Sequence, residues 1–308
     1  PPALNCFRWR GASLKACAYD SVSRSNRNRG SLAQSGNPAQ AMDALTAIVK
    51  RPASTMADRC ELTFLERNAI AFETLERQHL AYCDALELAG ADVIVLDADP
   101  TLADSVFIED AAVVLDEVAI MTRPGAMSRR PEPDSIETGI RSFRNIARIV
   151  APGTLEGGDV LRIGRKLYTG LTTRTNREGV EQFAALVRPF AYEVVAVPVT
   201  GSLHLKTACT ALDTDTVLIN RDWLDSSVFA DYRCIEVADD EPFAANVLPV
   251  GNALIANASC PRTLERIGAH ARFTRQRVVP VDISEFGKAE AGLTCMSLVF
   301  TNYGESGG

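Results

Sequence analysis

One pattern recurs along this chain and restricts its fold more than any single motif does. A polar loop residue leads into a short apolar run, a turn and a second apolar run, the signature of a β-hairpin. Phe107-Ile108-Glu109-Asp110 precedes runs 111–114 and 118–121, and Leu155-Glu156-Gly157-Gly158-Asp159 precedes runs 160–163 and 166–169, turning at Gly164-Arg165. Leu203-His204-Leu205-Lys206 precedes runs 209–212 and 216–219, and Ala245-Asn246 precedes runs 247–250 and 253–255. Cys295, after the turn at Gly292 and before a last apolar run, stands in the same phase. The copies recur at about 46 residues, a spacing that marks propeller-like or repeat architectures. A radial arrangement would bring Asp110, Glu156, His204 and Cys295 to one axis.

Helical patterns fall between these units: from Asp134 to about Ala147, from Asn176 to about Val187, a short one near Asp222, and from Pro261 to about His270. Ahead of the first unit, 44–49 reads as a strand ended by Pro52, and a loop runs through Leu62. A long amphipathic helix from about Asn68 carries Phe72, Leu75, Cys83 and Leu86 on its apolar side, stops at Gly90, and leads to a strand at 93–96. His79 in that helix reads as a packing or surface residue.

Composition narrows the functional classes. Net charge is −7, against a broad nucleic-acid or anionic-membrane surface, and no apolar run reaches the length of a membrane span. The eight cysteines are scattered without a C-x-x-C pair, which favours reduced thiols in the cytoplasm over a disulfide framework. Neither a Walker A sequence nor G-x-G-x-x-G occurs, and the three histidines offer no zinc-finger spacing. Residues 1–40 are basic and lack hydrophobic periodicity, so they are expected to be disordered or extraneous. Residues 41–302 are expected to form a single α/β domain and 303–308 a flexible tail.

Two carboxylates, an imidazole and a thiol make a reactive set. The thiolate attacks while the imidazole moves protons, and a carboxylate beside the imidazole fixes its tautomer. The other carboxylate is free for a cation, and a guanidinium suits it, with paired donors and an electrophilic carbon. The cation's charge would favour the thiolate, so the thiol is expected to be protonated until substrate arrives.

Six motifs in order resemble the dimethylarginine dimethylaminohydrolases of the guanidine-modifying superfamily. They are 104–110 (Asp-Ser-Val-Phe-Ile-Glu-Asp), 123–130 (Arg-Pro-Gly-Ala-Met-Ser-Arg-Arg), 155–159, 174–176, 204–207 and 294–297, within a match from about Leu45 to Phe300. The resemblance implies a five-bladed α/β propeller (pentein) of ββαβ-type repeats. It further implies conversion of Nω-methylated arginine to citrulline and a methylamine through a covalent thiouronium on Cys295. His204 would protonate the leaving amine and then activate water. Glu156 would orient His204, and Asp110 would hold the guanidinium. Arg129 and Arg174 would bind the α-carboxylate, while Asp104 and the carbonyl of Leu62 would take the α-amino group. Glu109 would stand behind these or meet a distal part of the substrate. No metal or organic cofactor is implied. The partner is a small molecule, without nucleic acid or membrane, and a homodimer is among the options.

Lys206 stands where related arginine deiminases carry an acid that grips an unsubstituted guanidinium, which favours a methylated substrate. The alternatives are an arginine deiminase-like hydrolase of another guanidine and a non-catalytic guanidino-ligand binding protein. The basic N-terminal segment and a slightly longer 52–62 loop depart from the family pattern, and that loop would act as a lid.

Overall fold

The computed structural model describes residues Ala44 to Tyr303. The expectation of disorder over 1–40 lies outside those residues, as do residues 304–308 of the expected tail.

The fold is a five-bladed α/β propeller, each blade a three-stranded sheet. The chain opens with β1 (Ala44–Lys50), a one-turn helix α1 (Met56–Arg59), α2 (Phe72–Leu88) and β2 (Asp92–Leu96). The second blade is β3 (Ala112–Val114), β4 (Val118–Met121), α3 (Glu132–Arg141) and β5 (Asn145–Arg148). The third is β6 (Val160–Ile163), β7 (Lys166–Leu171), α4 (Arg177–Val187) and β8 (Glu193–Pro198). The one-turn helix α5 (Leu205–Ala208) introduces the fourth, with β9 (Cys209–Ala211), β10 (Thr216–Ile219) and β11 (Arg233–Glu236). The fifth is β12 (Leu248–Val250), β13 (Ala253–Asn257), α6 (Pro261–Thr274) and β14 (Arg277–Val281). A short α7 (Ser284–Gly287) then leads to β15 (Ser297–Asn302).

In every blade the inner strand pairs antiparallel with the middle strand, and the outer strand pairs parallel with it through a helical crossover. β15 completes the first blade, antiparallel to β1 with Ile48 opposite Leu298, while β1 runs parallel to β2 with Ile48 opposite Ile94. The last strand thus closes the ring on the first, so Cys295 ends beside residues that lead the sequence by more than half its length.

Five hydrophobic clusters fill the five seams between neighbouring blades. Successive strand side chains point to opposite faces. In β4, Val118 and Ile120 enter the seam with the third blade, while Ala119 and Met121 enter the seam with the first. A middle strand buried on both faces therefore reads as an unbroken apolar run, which made these strands visible in the sequence.

The outer strands did not share that signal. β5, β11 and the start of β8 bury little and expose charged ends such as Arg148, Arg233 and Glu236. The expected helix to Ala147 is corrected accordingly: α3 stops at Arg141 and 145–148 is β5. Likewise the long helix starts at Phe72 and not Asn68, α6 continues to Thr274, the loop after Pro52 contains α1, and the helix near Asp222 is a single turn at Ser226–Phe229. His79 is buried, and Cys83 only partly so.

The inner strands surround a central channel of about 590 Å³, lined by Val113, Leu161, Ala211, Leu248 and Val299 among others. The site described next shares no lining residue with it.

Candidate active site

Each inner strand is preceded by a single helical turn: Ile108–Ala111, Gly157–Asp159, α5, Pro242–Ala245 and Thr294–Met296. The turns adjoin one another around the axis, the first touching the second and the last, and α5 touching the second and fourth. Asp110 and Cys295 lie in such turns, and Glu156 and His204 immediately precede them. The shared phase of the sequence copies thus becomes a shared position in space.

A cavity of about 20 Å³ opens at this end, walled by Asp104, Asp110, Arg129, Arg174, His204 and Cys295 together with Glu61, Phe107 and Glu290. Six of the nine expected site residues therefore share one wall. Glu156 lies fully buried behind it, with Oε2 at 2.7 Å from His204 Nε2. Its Oε1 accepts from the Gly125 N–H at 3.0 Å and lies 3.6 Å from Arg174 Nη1. Glu109 and Leu62 are not on the wall. Glu109 is turned to the central channel, where it bonds to the Lys206 ammonium and accepts from Thr294 Oγ1 at 2.8 Å. Leu62 packs against the apolar seam between the fifth and first blades, because the carbon side chain gains more there than at a charged rim.

The buried charges are paired. Asp110 Oδ2 meets Arg129 Nη1 at 2.8 Å, and Oδ1 accepts from the Gly158 N–H at 3.0 Å and lies 3.8 Å from His204 Nε2. Burial pushes the Asp110 carboxyl up, but His204 and Arg129 outweigh it and hold the pKa at about 2. Burial opposes charge on His204 too, yet Asp110, the hydrogen bond to Glu156 and the charge of Asp159 raise it to about 9. Cys295 is shifted up by burial and then by the negative charges of Asp110 and Glu109, so the thiol is protonated at neutral pH. Its sulfur accepts from the Gly292 N–H at 3.4 Å.

The two arginines differ. Arg129 is engaged by Glu132 at 2.8 Å and by Asp110, with Phe107 O at 3.3 Å. Arg174 Nη2 donates to Thr63 Oγ1 at 2.9 Å, but its Nη1 is buried without a hydrogen-bond partner. That nitrogen faces the Glu156 carboxylate at 3.6 Å, an ion pair too long for a hydrogen bond. Oxygen and nitrogen atoms of Asp110, Glu156 and His204 lie within 4.8 Å of one another, so this cluster can hold a cation.

Several residues that organise the site carried no sequence signal of their own. Asp159 Oδ1 accepts from the Leu205 N–H at 2.9 Å, which sets the turn below His204. Asn246 Oδ1 accepts from the Thr294 N–H at 3.0 Å and its Nδ2 donates to Thr294 Oγ1 at 3.1 Å, fixing the turn that bears Cys295. Glu132 holds Arg129. Asn246 occupies the same phase as the four predicted residues, and that phase was the one signal that could have found it.

Gly158 is required sterically. A Cβ there would lie 2.7 Å from both Asp110 Oδ1 and His204 Nδ1. Gly158→Ala is expected to displace the imidazole and lower kcat/KM about 100-fold, since misplacing a reacting group by about 1 Å costs that much. Steady-state kinetics with an unchanged far-UV CD spectrum would check it.

The arginine deiminase family model matches residues 127–254. A protein of Pseudomonas aeruginosa named N(G),N(G)-dimethylarginine dimethylaminohydrolase is 37% identical over 255 residues, covering 82% of this chain and 98% of that one. One of the same name from Streptomyces coelicolor is 39% identical, covering 83% and 97%. The chain belongs to the dimethylarginine dimethylaminohydrolase family. A solved structure of the Pseudomonas aeruginosa member of the family, a cysteine-to-serine variant in complex with citrulline, superposes with a TM-score of 0.79 at 35% identity, covering 84% of this chain and 100% of that one. Membership makes the chain a hydrolase acting on a guanidino C–N bond.

Proposed function

We propose that this chain hydrolyses Nω-methylated arginine (dimethylarginine and monomethylarginine) to citrulline and the corresponding methylamine, with Cys295 as nucleophile. The observation that carries the reading is one small wall holding Cys295, His204 and Asp110, with His204 seated on Glu156 at 2.7 Å. The guanidinium would lie against Asp110 and near Glu156, where its positive charge draws the Cys295 thiol toward thiolate, the thiol proton passing to water. Attack on the guanidino carbon forms a C–S bond. His204, charged at neutral pH, gives its proton to the methylamine as the C–N bond breaks, leaving a thiouronium. The neutral imidazole then takes a proton from water, the hydroxide adds to the same carbon, and loss of the thiolate yields citrulline.

Glu156 and Asp110 keep His204 protonated for the first step. Arg174, on the cavity wall, suits the substrate α-carboxylate, while Arg129 is already committed to Glu132 and Asp110. Asp104, which accepts from the Glu61 N–H at 3.0 Å, suits the α-amino group together with the neighbouring carbonyl of Leu62. Glu109 supports the site from the channel side through Lys206 and Thr294. A reducing cytoplasm is the setting in which Cys295 stays a thiol.

Lys206 bears on substrate choice. Its ammonium is tied to Glu109 on the channel side, so position 206 brings no acid to the cavity to grip an unsubstituted guanidinium nitrogen. An end-point assay for citrulline and amine, with dimethylarginine and arginine side by side and Cys295→Ser as blank, is expected to release methylamines from the former at least 10-fold faster than ammonia from the latter. Faster ammonia release from arginine would make the chain a deiminase, and citrulline no higher than the blank would end the enzymatic reading.

A further inference from the structure

The cavity has room for about one or two waters, far below the few hundred Å³ of ordinary ligand pockets. The mostly exposed segment 60–71 between α1 and α2 puts Glu61 on the cavity wall. Its far end is anchored by the segment leading to Cys295: the Ala71 N–H donates to Glu285 at 2.8 Å, and Lys288 Nζ donates to Ala69 O at 3.0 Å. Its near end converges on one carboxylate. Glu290 accepts from the N–H of Thr63 at 2.9 Å, of Phe64 at 2.6 Å and of Leu65 at 2.6 Å.

Glu290 itself stands on the cavity wall with φ 60, a left-handed conformation that disfavours a glutamate backbone. Such strain persists where the surroundings hold it, and it clusters at sites with a job to do. Beneath the same turn, Thr63 Oγ1 accepts from Arg174 and the Glu61 N–H is held by Asp104. The closed segment is thus bonded to the two groups assigned above to the amino-acid end of the substrate.

We propose that Glu290 is the latch of this lid: a positioning residue that holds 63–65 shut over Cys295, and whose release admits substrate. Three charge-assisted hydrogen bonds onto one carboxylate make the strongest tie at the moving end. The kinetic part of the proposal rests on the reaction proposed above; the structural part does not.

Hydrogen exchange of the 63–65 amides and alkylation of Cys295 by iodoacetamide, both without substrate, test the latch directly. In Glu290→Ala both rates are expected to rise about 10-fold or more, with Glu290→Gln intermediate because its oxygen still accepts but carries no charge. With dimethylarginine, KM should fall several-fold while kcat stays within about 2-fold, because the form that admits substrate is more populated and Glu290 would act through the lid and not on the reacting atoms. Unchanged exchange at 63–65 would overturn the proposal, and so would a fall in kcat at constant KM. Should Glu290→Ala loosen the whole domain, seen as faster exchange in β4, Glu290→Gln carries the same test. A wild type that forms no citrulline would end the reaction scheme, while exchange and alkylation would still decide the latch.

Discussion

Cys295→Ser is expected to lower citrulline formation by about four orders of magnitude or more, to the level of the uncatalysed background. The hydroxyl fits the same space but offers a far weaker nucleophile, and nothing near it is basic enough to replace the thiolate. His204 is already protonated at neutral pH, with a pKa raised to about 9, so it cannot take a proton from serine. The variant should fold as the wild type does, because Cys295 adds one sulfur to a turn already held by Asn246. Mass spectrometry of wild-type enzyme quenched during turnover should show Cys295 carrying the substrate less its amine, and the serine variant should show nothing there. Retention of more than about one per cent of activity would remove Cys295 from the role of nucleophile.

His204→Ala is expected to cost about 10²–10⁴-fold in kcat, the range for losing a positioned proton donor and acceptor. The pH profile separates this role from mere packing. A group raised to about 9 is charged below that pH and neutral above it, so wild-type kcat/KM should fall on an alkaline limb near pH 9. The residual activity of the variant should lack that limb, and added imidazole should restore part of the rate. The same shift links to stability. Its contribution is fully present below the unfolded histidine pKa of about 6.5 and is lost as pH rises through about 9. A limb that persists unchanged in His204→Ala would assign it to another group.

The catalytic set was readable because it repeats. Asp110, Glu156, His204 and Cys295 each stand just before an inner strand, and one phase rule finds them all. Of the residues that brace them, Asn246 shares that phase, but what each of them holds was not readable. Asn246 acts on Thr294, Asp159 on Leu205, and Glu290 on Thr63 to Leu65, each across a gap of tens to hundreds of residues. Their work is to accept backbone N–H bonds, and any Asn, Asp or Glu in a loop could do that. Arg129 was assigned to the substrate from sequence, yet its guanidinium is largely committed to Glu132 and Asp110. Charge pairing in a buried cluster depends on which side chains arrive together, and residue types alone do not reveal it.

The middle strands and the reactive quartet follow from local pattern, because burial on both faces imposes a run of apolar residues and the repeat imposes the phase. The number of blades came from the family resemblance. The outer strands, the closing of β15 on β1, the partners of each arginine and the shutting of the lid by Glu290 come from long-range contacts. Those are chosen by packing and by the cost of leaving buried polar groups unpaired, and neither is written in any short stretch of the chain.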